Sequence, residues 1–139
     1  METLYAYALI LCEGYDYWDV YSEELDRLFL NDPENDMYLS LELTTDIHQA
    51  VFHIFSSMNW EAFDVRIFGK ALMKPVSDIY KKSNLQDFTE HMYSLWNHLP
   101  YFISEKEPFF IFNYAGDSLS YGDEIQCRKL CEKAMNFYG

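Results

Sequence analysis

The sequence predicts a mainly α, single-domain protein built as a bundle of about six short helices. The chain has 139 residues, and a domain of this size buries about two-thirds of the surface that its unfolded chain exposes. Half of its residues are hydrophobic and 19% are aromatic, more than a disordered acidic chain carries. Over most of the chain the apolar residues recur three and four positions apart, which is the spacing of a helix face.

The first predicted helix covers residues 18–31. Its apolar side chains lie on one stripe, formed by Trp18, Tyr21, Leu25, Leu28 and Phe29. Asn31 and Asp32 are expected to end it, and Pro33 to open the next helix with Asp32 as its N-cap. Residues 37–43 contain leucines at alternate positions, as a strand does, but the preceding cap favours a short helix, which we choose.

Two helices are predicted in the middle of the chain. Asp46 is the expected N-cap of the first, with Gln49 three residues later as in a capping box, and its apolar stripe extends over residues 47–58. The stripe of the second extends over residues 65–79. It contains Pro75, which lacks a backbone donor and should kink or split the helix.

The next predicted helix begins after Asn84, a candidate N-cap, and its apolar stripe extends over residues 88–99. Residues 101–119 then break the helical pattern. Within them, residues 109–114 are expected to form either an apolar connection or one short strand under the helices.

The last predicted helix follows Ser120, which pairs with Asp123 as a second candidate capping box. Its stripe extends over residues 127–138 and includes Cys127 and Cys131, four positions apart. Cysteines on an apolar stripe are usually small buried hydrophobes, an interpretation that we favour over a metal or redox role.

Negative charge is concentrated in the first third of the chain, which as a whole has 23 acidic and 10 basic residues. Residues 1–50 hold 12 acids and one base, Arg27, whereas residues 51–100 hold five of each and residues 101–139 hold six acids and four bases. Such a distribution repels nucleic-acid phosphates and anionic lipids, and it attracts cationic proteins. We therefore expect a cationic protein partner and no nucleic acid.

Tyrosines alternate with acids near the start of the first predicted helix. Rigid aromatic area beside like charges suits a surface that binds an Arg- and Lys-rich protein. The candidate partner-binding residues are Asp16, Asp19, Glu23, Glu24, Asp26, Tyr17 and Tyr21. A solvated acidic helix face with half-packed tyrosines is an equally good interpretation of the same pattern.

The sequence contains no reaction motif, so we expect a non-catalytic protein without cofactor or metal. Residues 32–36 place acids at alternate positions as a calcium loop does, but Met37 and Leu43 stand where that loop requires glycine and glutamate. The histidines lack the spacing of a helical zinc pair. A small enzyme or metal protein that uses a histidine or cysteine is a third hypothesis.

Membrane insertion is not expected, because the apolar run over residues 4–11 has eight residues and a spanning helix needs about 20. No basic segment typical of a signal peptide follows Met1. The three cysteines are an odd number, which fits a reducing compartment. We therefore expect a cytoplasmic location.

The C-terminal third contains the segments Pro108–Phe109 and Tyr114–Glu124, followed by Gln126, Arg128, Lys129, Leu130 and Glu132. This pattern is similar to one found in small, acidic, uncharacterised bacterial proteins that resemble the immunity components of toxin–immunity pairs. The resemblance implies a cytosolic binding protein without catalysis.

The sequence thus predicts an immunity-type inhibitor that occludes a cationic partner, such as a nuclease or another toxin, with the acidic surface of residues 13–46. The alternative is a helical scaffold or regulatory module whose acidity serves only solubility.

Overall fold

The computed structural model describes residues 1–139 and confirms a mainly α protein, with no residue in a strand. The chain forms ten helices, of which seven have at least seven residues and three are four-residue turns. The bounds are α1 (Glu2–Cys12), α2 (Trp18–Asn31), α3 (Asp36–Glu42), α4 (Ile47–Ser57), α5 (Val65–Lys82), α6 (Leu85–Asn97), α7 (Tyr101–Ser104), α8 (Ile111–Tyr114), α9 (Asp117–Ser120) and α10 (Glu124–Met135).

Two compact units make up the structure, Met1–Leu72 and Met73–Gly139, and the boundary between them falls within α5. In the first unit α1 contacts α2 and α4, and α3 contacts the same two helices. In the second unit α8 contacts α6 and α10, and α10 also contacts α9. The expected single domain stays a prediction.

Helix α1 was not predicted from the sequence, and it forms the core of the first unit. Seven of its eleven residues are buried: Leu4, Tyr5, Ala6, Ala8, Leu9, Ile10 and Leu11. They lie all around the helix, so α1 has no polar face and no amphipathic stripe. Because its residues are apolar on every side, α1 shows no helical period in the sequence, and α2 and α4 both pack against it.

An aromatic cluster fixes the segment after α4 to α1. The Tyr5 ring meets Trp60 at a centroid distance of 5.7 Å and Phe68 at 5.5 Å. The indole Nε1 of Trp60 donates to the carbonyl of Phe55 at 3.1 Å, so its polar atom is satisfied. Glu2 adds a second link from α1 by accepting from the backbone N–H of Asp64 at 2.9 Å.

The start of α3 corrects one predicted cap. Asp32 is the C-cap of α2, and the N-cap of α3 is Asn35, whose Oδ1 accepts from Met37 N–H at 3.0 Å. Pro33 lies in a turn in which Asn35 N–H donates to the Asp32 carbonyl at 3.1 Å, and this turn delays the helix by three residues. The helix chosen for residues 37–43 is confirmed as Asp36–Glu42.

Asp46 is confirmed as the N-cap of α4, since its Oδ1 accepts from His48 N–H at 2.9 Å. Of the kink or split expected at Pro75, the split is wrong, because α5 continues for 18 residues through this position, and the kink stays a prediction. Proline removes one backbone donor, and the remaining hydrogen bonds of a long helix hold its turns together. Ser77 also donates its hydroxyl to the Met73 carbonyl in this turn, at 2.9 Å.

Residues 109–114, the candidate strand, are helical turns instead. Phe110 N–H donates to Lys106 O at 2.9 Å and Ala115 N–H to Ile111 O at 2.8 Å. A lone strand would leave its donors and acceptors without a neighbouring strand to pair with, whereas turns satisfy them locally. Phe109, Ile111 and Phe112 become buried in this arrangement.

The N-cap of α10 is Asp123 and not the predicted Ser120, which ends α9. Asp123 Oδ1 accepts from Gln126 N–H at 3.0 Å. Gly122 separates the two helices with φ +74, a conformation that favours glycine, so the cap moves to the residue after it. Cys127 and Cys131 are free and fully buried in the core, and burial raises the pKa of Cys131 to about 12.

Candidate partner-binding surface

The acidic residues belong mainly to the first unit. Met1–Leu72 contains 14 acids and three bases, whereas Met73–Gly139 contains nine acids and seven bases. Uncompensated negative charge is therefore a property of α1 to α4 and their connections.

Helix α2 carries part of this charge on a single outer face. Tyr21 and Leu25 are buried on the side that faces inward. Asp19, Glu23 and Asp26 are spaced by four and three residues, so they are neighbours along the opposite side, and all three are exposed. Asp16 is exposed just before the helix. Four of the five predicted acids thus face solvent.

Glu24 differs from the other predicted acids because it is paired. Its carboxylate accepts two hydrogen bonds from the Arg27 guanidinium, from Nη2 at 2.5 Å and from Nε at 3.1 Å. This bidentate geometry is the strongest form of an Arg–carboxylate contact. Because Glu24 is paired with Arg27, it contributes little net charge to the surface. Arg27 is the single base among residues 1–50, so no other acid there has such a partner nearby in the sequence.

The two predicted tyrosines are not equivalent. Tyr21 is 3% exposed and packs edge-to-face on Trp18 at 5.8 Å, so its ring is core and offers no contact area. Its hydroxyl is buried without a hydrogen-bond partner, and burial followed by the charge of Glu42 raises its pKa to about 12. Tyr17 is half-buried at the start of α2, with its ring 5.3 Å from that of Tyr7.

A carboxyl pair links α2 to α3. Glu42 is exposed to solvent, but partial desolvation of its carboxyl group raises its pKa to about 7, and a hydrogen bond with Asp26 and the negative charge of that residue add to the effect. When Glu42 is protonated, its O–H donates to the Asp26 carboxylate. Near neutral pH the pair therefore holds a proton for part of the time, and the local charge is smaller than the sequence indicates.

Sequence reasoning missed the exposed apolar side chains on α3 and α4. Leu43 is 76% exposed and Phe52 is 73% exposed, and Leu39 and Phe55 are also exposed. The signal was present in the sequence, because Phe52 lies off the apolar stripe of its helix. Residues 47–60 contain no Asp, Glu, Lys or Arg, so the part of this exposed surface that α4 contributes has no acidic side chain, although the unit as a whole is acidic.

None of the helices has the length and apolar character that a bilayer crossing demands. No group of three or more His, Cys, Asp or Glu side chains is arranged to hold a metal ion. No protein-family model, curated protein or solved structure matches this chain.

Proposed function

We propose that this protein is a non-catalytic acidic binding protein, an immunity-type inhibitor that occludes a cationic partner protein with the outer face of α2 and its flanking residues. The observation that carries the proposal is the line of exposed carboxylates formed by Asp19, Glu23 and Asp26, in a unit with 14 acids and three bases.

Electrostatics favours a protein as the partner. A surface of this sign repels nucleic acids and anionic membranes. Toward a basic protein it accelerates encounter, and the acceleration fades as salt screens the charges. Carboxylates that cover the basic site of a toxin such as a nuclease would also exclude its anionic substrate. Occlusion of that kind needs no catalysis by the inhibitor.

Two further observations support an immunity-type protein in the cytoplasm. The C-terminal pattern resembles that of small acidic bacterial proteins similar to immunity components, as described above. All three cysteines are free. A domain of this size does not need a disulfide for stability. Free thiols persist in a reducing cytosol, where an inhibitor would protect the cell from its own toxin.

The rival function is a helical scaffold or regulatory module whose acidity serves only solubility. The burial of Tyr21 and the pairing of Glu24 with Arg27 favour this rival, since they remove two of the predicted contacts. The two functions differ in whether the exposed carboxylates contribute to any interaction.

Matched charge-reversed variants separate the proposed function from its rival. The first combines Asp16→Lys, Asp19→Lys and Glu23→Lys, and the control combines Glu105→Lys, Asp117→Lys and Glu132→Lys, which are exposed acids of the second unit. Both triple variants change the net charge by the same amount. Wild type and both variants serve as baits in an extract of the source cells, and bound proteins are identified by mass spectrometry.

We expect the wild type and the control to retain a basic protein that the first variant loses. With that protein purified, the association rate should fall by about tenfold or more in the first variant and also as salt is added. Circular dichroism of each variant checks that the helices remain. Equal association rates for all three proteins, independent of salt, would refute the proposed function and support the rival.

A further inference from the structure

Helix α4 presents the aromatic side chain of Phe52 to solvent, whereas Phe55 on the same face packs on Trp60 at a centroid distance of 5.1 Å. Ala50 and Ile54 are buried on its inner side, whereas His48, Phe52 and Phe55 share the outer side at helical spacing. Phe52 is 73% exposed. Exposed residues that cluster on one helix face form an apolar patch, which on soluble proteins commonly marks an interaction site.

Helix α3 also exposes apolar side chains. Leu41 is buried, whereas Leu39 and Leu43 are exposed and lie four residues apart on one side. Helix α3 contacts both α2, which carries the carboxylates, and α4, which carries Phe52. The exposed acids Asp36 and Glu42 flank its leucines.

The charge around the patch restricts what covers it. A second copy of the chain would bring two acidic units into contact, each with 14 acids and three bases. Like charges in an interface cost free energy. Anionic lipid and nucleic acid are repelled for the same reason. A protein surface with apolar residues surrounded by Lys and Arg is complementary both to the exposed apolar side chains of α3 and α4 and to the acids of the unit.

We infer that Leu39, Leu43 and Phe52 form the apolar anchor of the interface with a cationic protein, beside the carboxylates of α2. The inference rests on the proposed function and adds to it where the partner docks and which chemistry it presents. Buried aromatic and aliphatic anchors dominate affinity, and they act mainly on the dissociation rate. The surrounding acids act mainly on association.

The test uses a synthetic amphipathic peptide of leucine, phenylalanine and lysine at helical spacing, together with a scrambled peptide of the same composition. The scrambled peptide has the same charge but no apolar face. The variant combines Leu43→Ala with Phe52→Ala. Its matched control combines Tyr121→Ala with Ile125→Ala, which are 86% and 72% exposed in the second unit. Because all four side chains are exposed, their removal leaves the core intact.

We expect the wild type to bind the amphipathic peptide about tenfold tighter than the scrambled one. The Leu43→Ala, Phe52→Ala variant should lose this difference through faster dissociation, and the control should keep it. Equal affinity for both peptides, no loss in the variant, or no binding of the amphipathic peptide would each overturn the inference. So would a wild-type dimer in sedimentation that the same two substitutions dissociate, since the patch would then serve self-association.

The Asp16→Lys, Asp19→Lys, Glu23→Lys variant tells a failure of this inference from a failure of the proposed function. Slower association in that variant, together with salt-sensitive association of the wild type and no effect of Leu43→Ala and Phe52→Ala, supports the acidic function and refutes the anchor. Unchanged association in that variant, with binding lost on Leu43→Ala and Phe52→Ala, supports the anchor and refutes the electrostatic function.

Discussion

The carboxyl groups of Glu42 and Asp26 meet where α3 packs on α2. Two like charges at this contact oppose the packing that holds the helices together, and the pair relieves the repulsion by retaining a proton. The raised pKa of Glu42, about 7, means that the folded state binds this proton more tightly than the unfolded chain does. The contact therefore weakens as the pH rises.

Replacement of Glu42 by glutamine should stabilise the protein at high pH only. The folded state binds more protons than the unfolded state between the ordinary pKa of 4.5 and about 7, so wild-type stability falls as the pH rises through this range. Glu42→Gln lacks the titrating group and escapes that loss. Thermal unfolding followed by circular dichroism should show a higher midpoint than wild type at about pH 8.5 and a similar midpoint at about pH 4.

Asp46→Asn is the matched control for this prediction, since it removes one acid from an exposed cap that keeps its acceptor oxygen. We expect it to lack the stabilisation between these two pH values that Glu42→Gln shows. A constant difference between Glu42→Gln and wild type at every pH would contradict the shared proton.

The candidate site was predictable where it depended on helical spacing. Acids off the apolar stripe of α2 had to face outward, and Asp19 and Glu23 do. Tyr21 lay on that stripe, so its burial follows from the same rule, although it was also proposed as a contact. The carboxyl pair was not predictable, because it depends on how α3 packs on α2. The exposure of Phe52 could have been predicted, because this apolar residue lies off the apolar stripe of its helix.

At the scale of the element, helices with one apolar stripe and a capping residue were predicted well, as α4 and α6 show. Helix α1 was missed because its apolar residues leave no polar face to reveal a period. The turns of residues 101–120 were missed for another reason, since a four-residue helix is too short for any period to be recognised. Local signals therefore predict surface helices better than core helices or turns.

Asn84 provides an element-scale prediction. Its Oδ1 accepts from Asp87 N–H at 2.8 Å, and its Nδ2 donates to the Asp87 carboxylate at 2.8 Å, so both side chains close the start of α6. Asn84→Ala should lower the free energy of unfolding by about 1 kcal/mol, because an orphan N–H loses its acceptor. Urea titration followed by far-ultraviolet circular dichroism measures the loss.

Asn84→Ser is the control for this cap, because serine retains an acceptor for the same N–H. We expect its stability to lie within about 0.5 kcal/mol of wild type. If serine and alanine destabilise equally, the cap contributes less than its geometry indicates.

At the scale of the whole molecule, the two units differ clearly in charge. The 14 acids of Met1–Leu72 face three bases of the same unit, and Arg27 is already engaged with Glu24. The carboxylates on α2 and α3 are therefore expected to repel one another. A partner with the opposite charge would relieve this repulsion, which links the binding proposed for this surface to the stability of the unit.

Salt should consequently stabilise the free protein. The Debye length falls from about 30 Å at 0.01 M to about 10 Å at 0.1 M, so repulsion across the surface is screened over this range. Screening also weakens the Glu24–Arg27 pair, but an exposed ion pair contributes little to stability and is outnumbered by the other exposed acids of the unit. We expect the thermal midpoint to rise by a few degrees with sodium chloride.

The rise should be smaller in the Asp16→Lys, Asp19→Lys, Glu23→Lys variant and close to the wild-type value in the Glu105→Lys, Asp117→Lys, Glu132→Lys variant. A midpoint that falls with salt would show that ion pairs, and not repulsion, govern the acidic unit.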